Sequence, residues 1–227
     1  MTVVRVSIKG RDEGAMSSRD AAASVIDVIS DGGLALVPFD VAYAFLAGSL
    51  APLERIYQLK LRRPTKACPV LVSWKHFSDV ARSDPNKIDR IEKVVAAGLP
   101  VGVLAIPDWE SDVVRSIPEG CMQLLISNEK LALFMNMGGM SEDLLDVADE
   151  RGIRLFGSSA NLSGMGNSFS LGDVPETIVE AMDVVCDIGT CKYKNPERLS
   201  TSIVDLDSGQ LTRRGILHEE IGRLLEG

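Results

Sequence analysis

A segment rich in hydroxyl and amide side chains lies in the last third of the chain, between Gly157 and Gly164. It reads Gly-Ser-Ser-Ala-Asn-Leu-Ser-Gly and follows a short, mainly apolar run at residues 153–156. An apolar strand that ends in small, hydrogen-bonding residues makes a rigid edge at which donors converge on an anion. Taken alone, the segment is more typical of a Ser/Asn-rich turn. Its interpretation therefore depends on the rest of the chain.

A basic cluster at residues 60–66 is the second candidate site. The sequence Lys-Leu-Arg-Arg-Pro-Thr-Lys places four cations within seven residues at the end of a predicted helix. Cations in this place commonly do no more than complement the helix dipole. Pro64, however, stops the helix and fixes the direction of the guanidinium groups. Arginine forks and a lysine point charge suit a triphosphate, so the cluster also predicts an anion site.

Two further segments carry groups that are compatible with phosphate. A strand ends in residues 38–43, Pro-Phe-Asp-Val-Ala-Tyr, in which Asp40 and Tyr43 are also typical of an Asx-turn and a packed aromatic. Residues 198–205, Arg-Leu-Ser-Thr-Ser-Ile-Val-Asp, precede Arg213, Arg214 and Gly215. In isolation the last segments indicate a core strand with outward hydroxyls and a pair of solvated arginines.

The composition limits the classes of function. A net charge of −8 does not fit a general nucleic-acid binder, so a polyanion must be bound by a local basic cluster. Four cysteines without CxxC spacing and two histidines argue against a zinc site and a disulfide framework. With no apolar run of membrane-spanning length and no signal-peptide pattern, the sequence predicts a soluble, cytoplasmic protein. No repeat or linker divides residues 1–227, which predicts a single domain.

Helices and strands alternate along the chain and position these segments. Predicted helices begin near Ser17, Pro52, Asp84, Ser141, Pro175 and Glu219. Predicted strands cover residues 34–37, 70–72, 101–106, 122–126, 184–185, 202–205 and 210–212, with the last two joined as a hairpin. Alternation followed by a hairpin predicts an α/β fold with a mixed sheet.

The four segments occur together and in an order that resembles the YrdC-like family, which includes the threonylcarbamoyl-adenylate synthases of tRNA modification. The resemblance covers residues 22–215 and rests on residues 159–164, Lys60-x-Arg62 with Pro64 and Pro69, residues 202–205, and Arg213-Arg214-Gly215. It implies a twisted, mixed α/β sheet flanked by helices, with a large basic groove on one face. Family enzymes combine ATP, bicarbonate and L-threonine into an acyl adenylate and release pyrophosphate.

The resemblance also implies roles for individual residues. Lys60 and Arg62 would be catalytic and, with Arg63, would hold the triphosphate, while Ser159 and Asn161 would meet the nucleotide and Ser163 would support their loop. Arg198 and Arg214 would flank the adenosine. The substrate pocket would include Phe39, Tyr43, Leu125 and Gly157. A divalent ion, Mg²⁺, would bridge the phosphates with few protein ligands.

The chain diverges from the family pattern on the amino-acid side. Where the family usually reads Pro-Thr-Asp/Glu-Thr-Val-Tyr-Gly, residues 38–44 read Pro-Phe-Asp-Val-Ala-Tyr-Ala, so two hydroxyls are missing. Leu125 stands where the family has an arginine, which removes a counter-charge for a substrate carboxylate. The family's Pro-Gly-Pro-x-Thr and Asp-His-Pro sequences are replaced at residues 99–103 and 128–130. These departures predict either an altered amine acceptor or a protein that has lost catalysis.

A second hypothesis is a non-catalytic protein that binds double-stranded RNA or nucleotide through the same groove. Some relatives of this fold bind double-stranded RNA, and the cluster of Lys60, Arg62, Arg63 and Lys66 offers a local patch in an acidic protein. A third possibility is a degenerate paralogue that acts as an interaction partner. All three hypotheses require the cations of the first third to face the Ser/Asn segment of the last third.

Overall fold

The computed structural model describes residues 4–7, 16–63, 65–162 and 164–226, with the backbone alone described for residues 4–7. The strands are β1 Val4–Ser7, β2 Ala35–Pro38, β3 Tyr43–Ala47, β4 Val70–Leu71, β5 Val101–Ala105, β6 Ile126–Ser127, β7 Lys130–Met135, β8 Leu155–Ser159, β9 Val184–Asp187, β10 Ser202–Asp205 and β11 Leu211–Arg213. The α-helices are α1 Ser18–Ser30, α2 Leu50–Leu59, α3 Trp74–Val80, α4 Pro85–Ala96, α5 Asp112–Arg115, α6 Met122–Leu125, α7 Gly139–Glu150, α8 Glu176–Glu180 and α9 His218–Glu226. A 3₁₀ turn covers Leu171–Asp173.

One mixed sheet contains the strands of the described ranges, in the order β1-β9-β2-β3-β8-β4-β7-β5-β10-β11, with β6 paired to β7. The sheet contains both parallel pairs (β1 with β9, β5 with β10) and antiparallel pairs (β2 with β3, β3 with β8). The predicted α/β class with a mixed sheet is confirmed.

Helices cover both faces of this sheet. Successive strand residues point to opposite sides, so buried strands present apolar side chains on both faces. In β3, Tyr43, Phe45 and Ala47 join one buried cluster, whereas Ala44 and Leu46 join the other. The second cluster includes the apolar stripes of α1 and α7, which pack side by side. Strands buried on both faces read as continuous apolar runs, as the sequence of β2 and β3 shows.

The sequence signals for helix ends agree with the structure. The Ser17 hydroxyl accepts a hydrogen bond from the Asp20 backbone N–H and caps α1, and the Asp84 carboxylate caps α4 in the same way, with Pro85 next. Each predicted helix is present, with its ends shifted by a residue or two. The hairpin of β10 and β11 is also confirmed.

One predicted element is wrong. Residues 122–126, expected as an interior strand, form helix α6 and the first residue of β6. A short apolar run does not distinguish a buried strand from a buried helical turn. Leu125 is fully buried in this helix, as it would be in an interior strand. The apolar run therefore indicates burial and not the type of element.

The four cysteines are free and buried, as expected of isolated thiols in a protein core. Within the described ranges, no helix has both the length and the apolar character needed to cross a membrane.

Candidate anion-binding site

A cavity of about 120 Å³ opens where several strand ends and loops meet. Its lining residues come from the β2–β3 turn, the loop after α2, strands β3, β4, β7, β8 and β11, and the segment before β10: Phe39, Val41, Ala42, Ala44, Arg62, Lys66, Pro69, Leu71, Phe134, Met137, Gly157, Ser158, Ser159, Ser200, Thr201 and Arg213. Residues from the first and last thirds of the chain therefore share one cavity.

The lining residues fall into two chemical sets that border each other, since Ala44 pairs with Ser159 across β3 and β8 and the Thr201 hydroxyl donates to Met137 Sδ. We call the first the cationic wall, and it consists of Arg62, Lys66, Arg213, Ser158, Ser159, Ser200 and Thr201. We call the second the apolar wall, and it consists of Phe39, Val41, Ala42, Ala44, Leu71, Phe134 and Met137. The charged residues of the lining, as far as the structure describes it, are all cations.

The end of α2 positions the first cation. Lys60 closes the helix, and Leu61 adopts φ 49°, a left-handed conformation that is unusual for leucine. The chain turns there, and the Arg62 backbone N–H donates to the Tyr57 carbonyl at 2.9 Å. This reversal sends Lys60 into the protein and aims Arg62 at the cavity.

Three hydrogen bonds fix the Arg62 guanidinium. Its Nε donates to the Lys66 carbonyl at 2.9 Å, its Nη1 to Ser158 Oγ at 3.0 Å, and its Nη2 to the Ala67 carbonyl. The bond to Ser158 joins the basic cluster directly to the Ser/Asn segment. A guanidinium held in this way needs little reordering when an anion binds.

Arg213 is the second arginine of the cationic wall. Its Nε donates to the Thr201 carbonyl at 2.8 Å, and its guanidinium carbon lies 5.9 Å from the centre of the Phe134 ring. Its Nη2 is buried and has no hydrogen-bond partner among the described residues. Burial, and then repulsion by Arg62, lowers the pKa of Arg213 to about 10. An anion between the two arginines would satisfy Nη2 and offset this repulsion.

Lys60 is a buried support for the Ser/Asn segment. It is 2% exposed, and its ammonium donates to the Ser159 carbonyl, to the Asn161 carbonyl at 2.7 Å and to Asn161 Oδ1 at 3.2 Å. Burial, and then the charge of Arg62, lowers its pKa to about 7. Lys60 thus holds the end of β8, which contributes Ser158 and Ser159 to the cavity, and the residues that follow it.

Two glycines allow the close approaches that shape the site. A Cβ on Gly157 would lie 2.6 Å from the Phe45 carbonyl oxygen, and one on Gly215 would lie 2.0 Å from the Ser200 carbonyl oxygen. Both distances are shorter than a carbon–oxygen contact allows. Glycine at these positions lets β8 approach β3 and brings the Arg213 strand against Ser200.

Several predicted site residues lie in the cavity or next to it. Arg62, Ser159, Phe39 and Gly157 line it. Asn161 is not one of the lining residues, and its carbonyl accepts a hydrogen bond from Lys60. The expected approach of the basic cluster to the Ser/Asn segment is therefore present in the structure.

Other predicted site residues lie elsewhere. Arg63, Arg198 and Arg214 are exposed and do not contribute to the lining; Arg198 Nε donates to the Asn167 carbonyl at 2.9 Å. Tyr43 is buried in the core, where its hydroxyl donates to Asp187 Oδ1 at 2.5 Å, and burial raises its pKa. Leu125 is in the same core cluster. Ser163 and Pro64 are outside the described residues.

Arg213 is the main residue that sequence reasoning missed, since it chose Arg214 from the same pair. In β11 and the residue after it, Leu211 and Arg213 are half-buried whereas Thr212 and Arg214 are exposed. The period-2 alternation of a strand therefore distinguishes the two arginines. Lys66, Ser158, Ser200 and Thr201 were also within the motif segments but were not chosen.

The proposed RNA patch is less compact than the sequence suggested. Of its four cations, Lys60 is buried and Arg62 is directed into the cavity, which leaves Arg63 and Lys66 exposed. Two exposed cations make a weak footprint for a polyanion. RNA binding stays a prediction.

The fold and the site together define a class of protein. Its members have a mixed α/β sheet and a cation-lined cavity where strand ends and loops meet. The family model Sua5_yciO_yrdC, described as "Telomere recombination", matches residues 27–215. The chain belongs to the Sua5/YciO/YrdC family. No curated protein matches it at a significant level.

Solved structures share the fold at low sequence identity. The hypothetical protein smu.1377c from Streptococcus mutans UA159 superposes with a TM-score of 0.80 at 16% identity, over 100% of this chain and 95% of that one. P. abyssi Sua5 complexed with L-threonine superposes with a TM-score of 0.71 at 17% identity, over 99% of this chain and 61% of that one. E. coli YciO superposes with a TM-score of 0.67 at 14% identity, over 95% of this chain and 96% of that one. This chain thus spans about three-fifths of the Sua5 protein.

Proposed function

We propose that this protein is an ATP-dependent acyl-adenylate synthase of the threonylcarbamoyl-adenylate type. It would combine an amino acid with bicarbonate to form a carbamate and would transfer AMP from ATP to that carbamate. Membership of the Sua5/YciO/YrdC family and the fold shared with a Sua5 structure that contains L-threonine support this class of reaction.

The observation that carries the proposal is the pair of guanidinium groups on the cationic wall. Arg62 and Arg213 face one cavity, each is held by backbone carbonyls, and Arg213 Nη2 is buried without a partner in the described structure. No carboxylate of the described residues lines the cavity to neutralise them. A ligand with several negative oxygens, such as a triphosphate, is the complement of this wall.

The reaction balances with ATP, bicarbonate and an amine. The amine attacks the carbon of bicarbonate (or of the CO₂ it supplies), and a carbamate forms as water leaves. A carbamate oxygen then bonds to the α-phosphorus as the bond from that phosphorus to the bridging oxygen breaks, and pyrophosphate departs. Arg62, Arg213 and Lys66 would stabilise the charge that spreads over the phosphate oxygens.

The remaining residues position the reactants. Lys60 would keep the backbone of Ser159 and Asn161 in place, and the Ser158 hydroxyl would keep Arg62 aimed at the cavity. Mg²⁺ would enter as part of the MgATP substrate. Since no described lining residue is a carboxylate, phosphate oxygens and water would supply most of its ligands.

Pyrophosphate release tests the proposal. Purified protein is incubated with MgATP and a panel of amino acids, with and without bicarbonate, and pyrophosphate and the acyl adenylate are measured. We expect pyrophosphate that requires both bicarbonate and an amino acid. Formation of no pyrophosphate with any amine refutes the enzyme and leaves a nucleotide-binding protein.

Adjacent arginines provide a matched pair for the same assay. Arg62→Gln removes a guanidinium from the cavity, whereas Arg63→Gln removes an exposed one from the same loop. We expect kcat/KM to fall about a hundredfold for Arg62→Gln, because a charged hydrogen-bonding group is lost from a desolvated site. Arg63→Gln should stay within about twofold of the wild type.

A further inference from the structure

A row of paired residues crosses four strands next to the cavity. Phe134 of β7 pairs with Gly102 of β5. Ile203 of β10 pairs with Gly102 on one side and with Arg213 of β11 on the other. The backbones at the two ends of the row are three strand spacings apart, about 14 Å. The Arg213 guanidinium carbon nevertheless lies 5.9 Å from the centre of the Phe134 ring, so the two side chains lean towards each other across the row.

Gly102 leaves the space that the Phe134 ring occupies. A Cβ on Gly102 would lie 2.6 Å from Cε1 and 3.0 Å from Cδ1 of Phe134, whereas carbon atoms in contact are about 3.5 to 4.0 Å apart. The backbone at Gly102 is outside the left-handed region, so its conformation does not require glycine. Glycine inside a strand weakens the strand and often marks a close approach of another group. The group that approaches here is the ring of Phe134.

We propose that Gly102 is a positioning residue of the anion site: it seats the Phe134 ring, and the seated ring sets the place of the Arg213 guanidinium. The proposal rests on the proposed function for the identity of the anion, ATP, but it concerns the placement of an arginine. A methyl group on Gly102 would push the ring about 1 Å off the sheet. Because Phe134 and Arg213 both line the cavity, this movement displaces the guanidinium and narrows the space for a ligand.

Gly102→Ala in the full-length protein tests the proposal with two readouts. We expect calorimetry to show ATP binding weakened about tenfold, since a misplacement of about 1 Å is costly in a preorganised site. The second readout needs no ligand. The Arg213 Nε–H donates to the Thr201 carbonyl, and its NMR signal is assigned by its loss in Arg213→Met. We expect Gly102→Ala to shift this signal, because the nearby ring moves.

Gly48 provides a matched control away from the cavity. A Cβ there would lie 2.7 Å from Ile29 Cγ2 and 3.2 Å from Ile153 Cγ2, a crowding similar to that at Gly102. None of these three residues lines the cavity. Both glycine substitutions should lower the melting temperature, but Gly48→Ala should leave ATP affinity and the Arg213 signal unchanged. If Gly102→Ala changes neither quantity more than Gly48→Ala does, the ring on the glycine only stabilises the sheet and the proposal fails.

Removal of the ring tests the route from Gly102 to Arg213. Leucine lacks the outer ring carbons that an added methyl would meet. In a Phe134→Leu background, Gly102→Ala should therefore cause no further loss of ATP affinity and no further shift of the Arg213 signal. A tenfold loss in both backgrounds would overturn the proposal, because the effect would not pass through the ring. If the wild type does not bind ATP, the proposed function is refuted, and the Arg213 signal in the same variants decides the proposal by itself.

Discussion

The two walls of the cavity are built in opposite ways. The side chains of the cationic wall come from loops and strand ends and are held by individual hydrogen bonds, such as that from Arg62 to Ser158. The apolar wall is continuous with the core and is held by packing against α1 and α7. Single changes to the first wall should therefore alter ligand affinity with little effect on folding. Changes to the second should lower the stability of the fold.

Arg213 gives the largest predicted effect on the cationic wall. We expect Arg213→Met to weaken ATP binding about a hundredfold, because a buried charged donor to the phosphates is lost. Folding stability should change little, because the lost bond to the Thr201 carbonyl is offset by removal of a buried charge that Arg62 repels, and the packing on Phe134 is kept. Calorimetry with ATP and thermal unfolding measure the two effects.

The control for this variant is its exposed neighbour. Arg214→Met should change ATP affinity by less than about twofold, because this side chain does not line the cavity. Equal losses of ATP affinity in the two variants would contradict this prediction. They would show that both arginines act through the net charge of the hairpin.

A substitution of Lys60 tests whether the cationic wall depends on the hydrogen bonds that this buried lysine donates to the Ser159 and Asn161 carbonyls. Lys60→Met retains most of the apolar length but removes the donor to the Ser159 and Asn161 carbonyls. We expect the free energy of unfolding at pH 7 to fall by about 1 kcal/mol. The Asn161 carbonyl loses its donor, whereas the Ser159 carbonyl keeps the Asn161 N–H, and removal of a buried charge offsets part of the loss. Denaturant titration measures this. A matched Lys66→Met variant, at an exposed lysine of the same loop, should be nearly neutral for stability.

The same lysine predicts a pH dependence. The unfolded chain keeps the Lys60 proton up to about pH 10.5, whereas in the folded protein its pKa is about 7. Between these values unfolding takes up a proton, so stability should rise with pH, by about 1 kcal/mol per pH unit. Unfolding free energies of the wild type and Lys60→Met at pH 7, 8 and 9 isolate this contribution as their difference. A difference that shrinks with increasing pH would contradict it.

The sequence predicted the cationic wall better than the apolar wall for a physical reason. Arg62 and Ser159 stand in short motifs that this sequence still shows, so their meeting could be expected. Phe134 and Met137 come from strand β7 and the residues after it, which no turn or capping signal marked. Arg213 ends β11 and Arg214 follows it, so the two side chains differ in which face of the sheet they occupy, and that depends on the register of β10 with β11.

The helix that replaced the strand expected at residues 122–126 shows the same limit. Burial on all sides removes the periodicity from which helix and strand are distinguished. The position that resembles a substrate-binding arginine, Leu125, consequently lies in the core rather than at the cavity. A family motif therefore fixes the location of a side chain only where the local structure is also retained.

Phe134 connects the two walls and gives the smallest predicted effect. It lines the apolar wall while its ring lies under the Arg213 guanidinium, 5.9 Å from centroid to carbon. We expect Phe134→Leu to weaken ATP binding about three- to fivefold, because the contact of cation with ring contributes about 1 kcal/mol and leucine retains the apolar contact. In the Arg213→Met background the same substitution should have no further effect on ATP affinity, since the charge it orients is gone. Additive losses in the double variant would show that Phe134 acts on the nucleotide directly and that the two walls are independent.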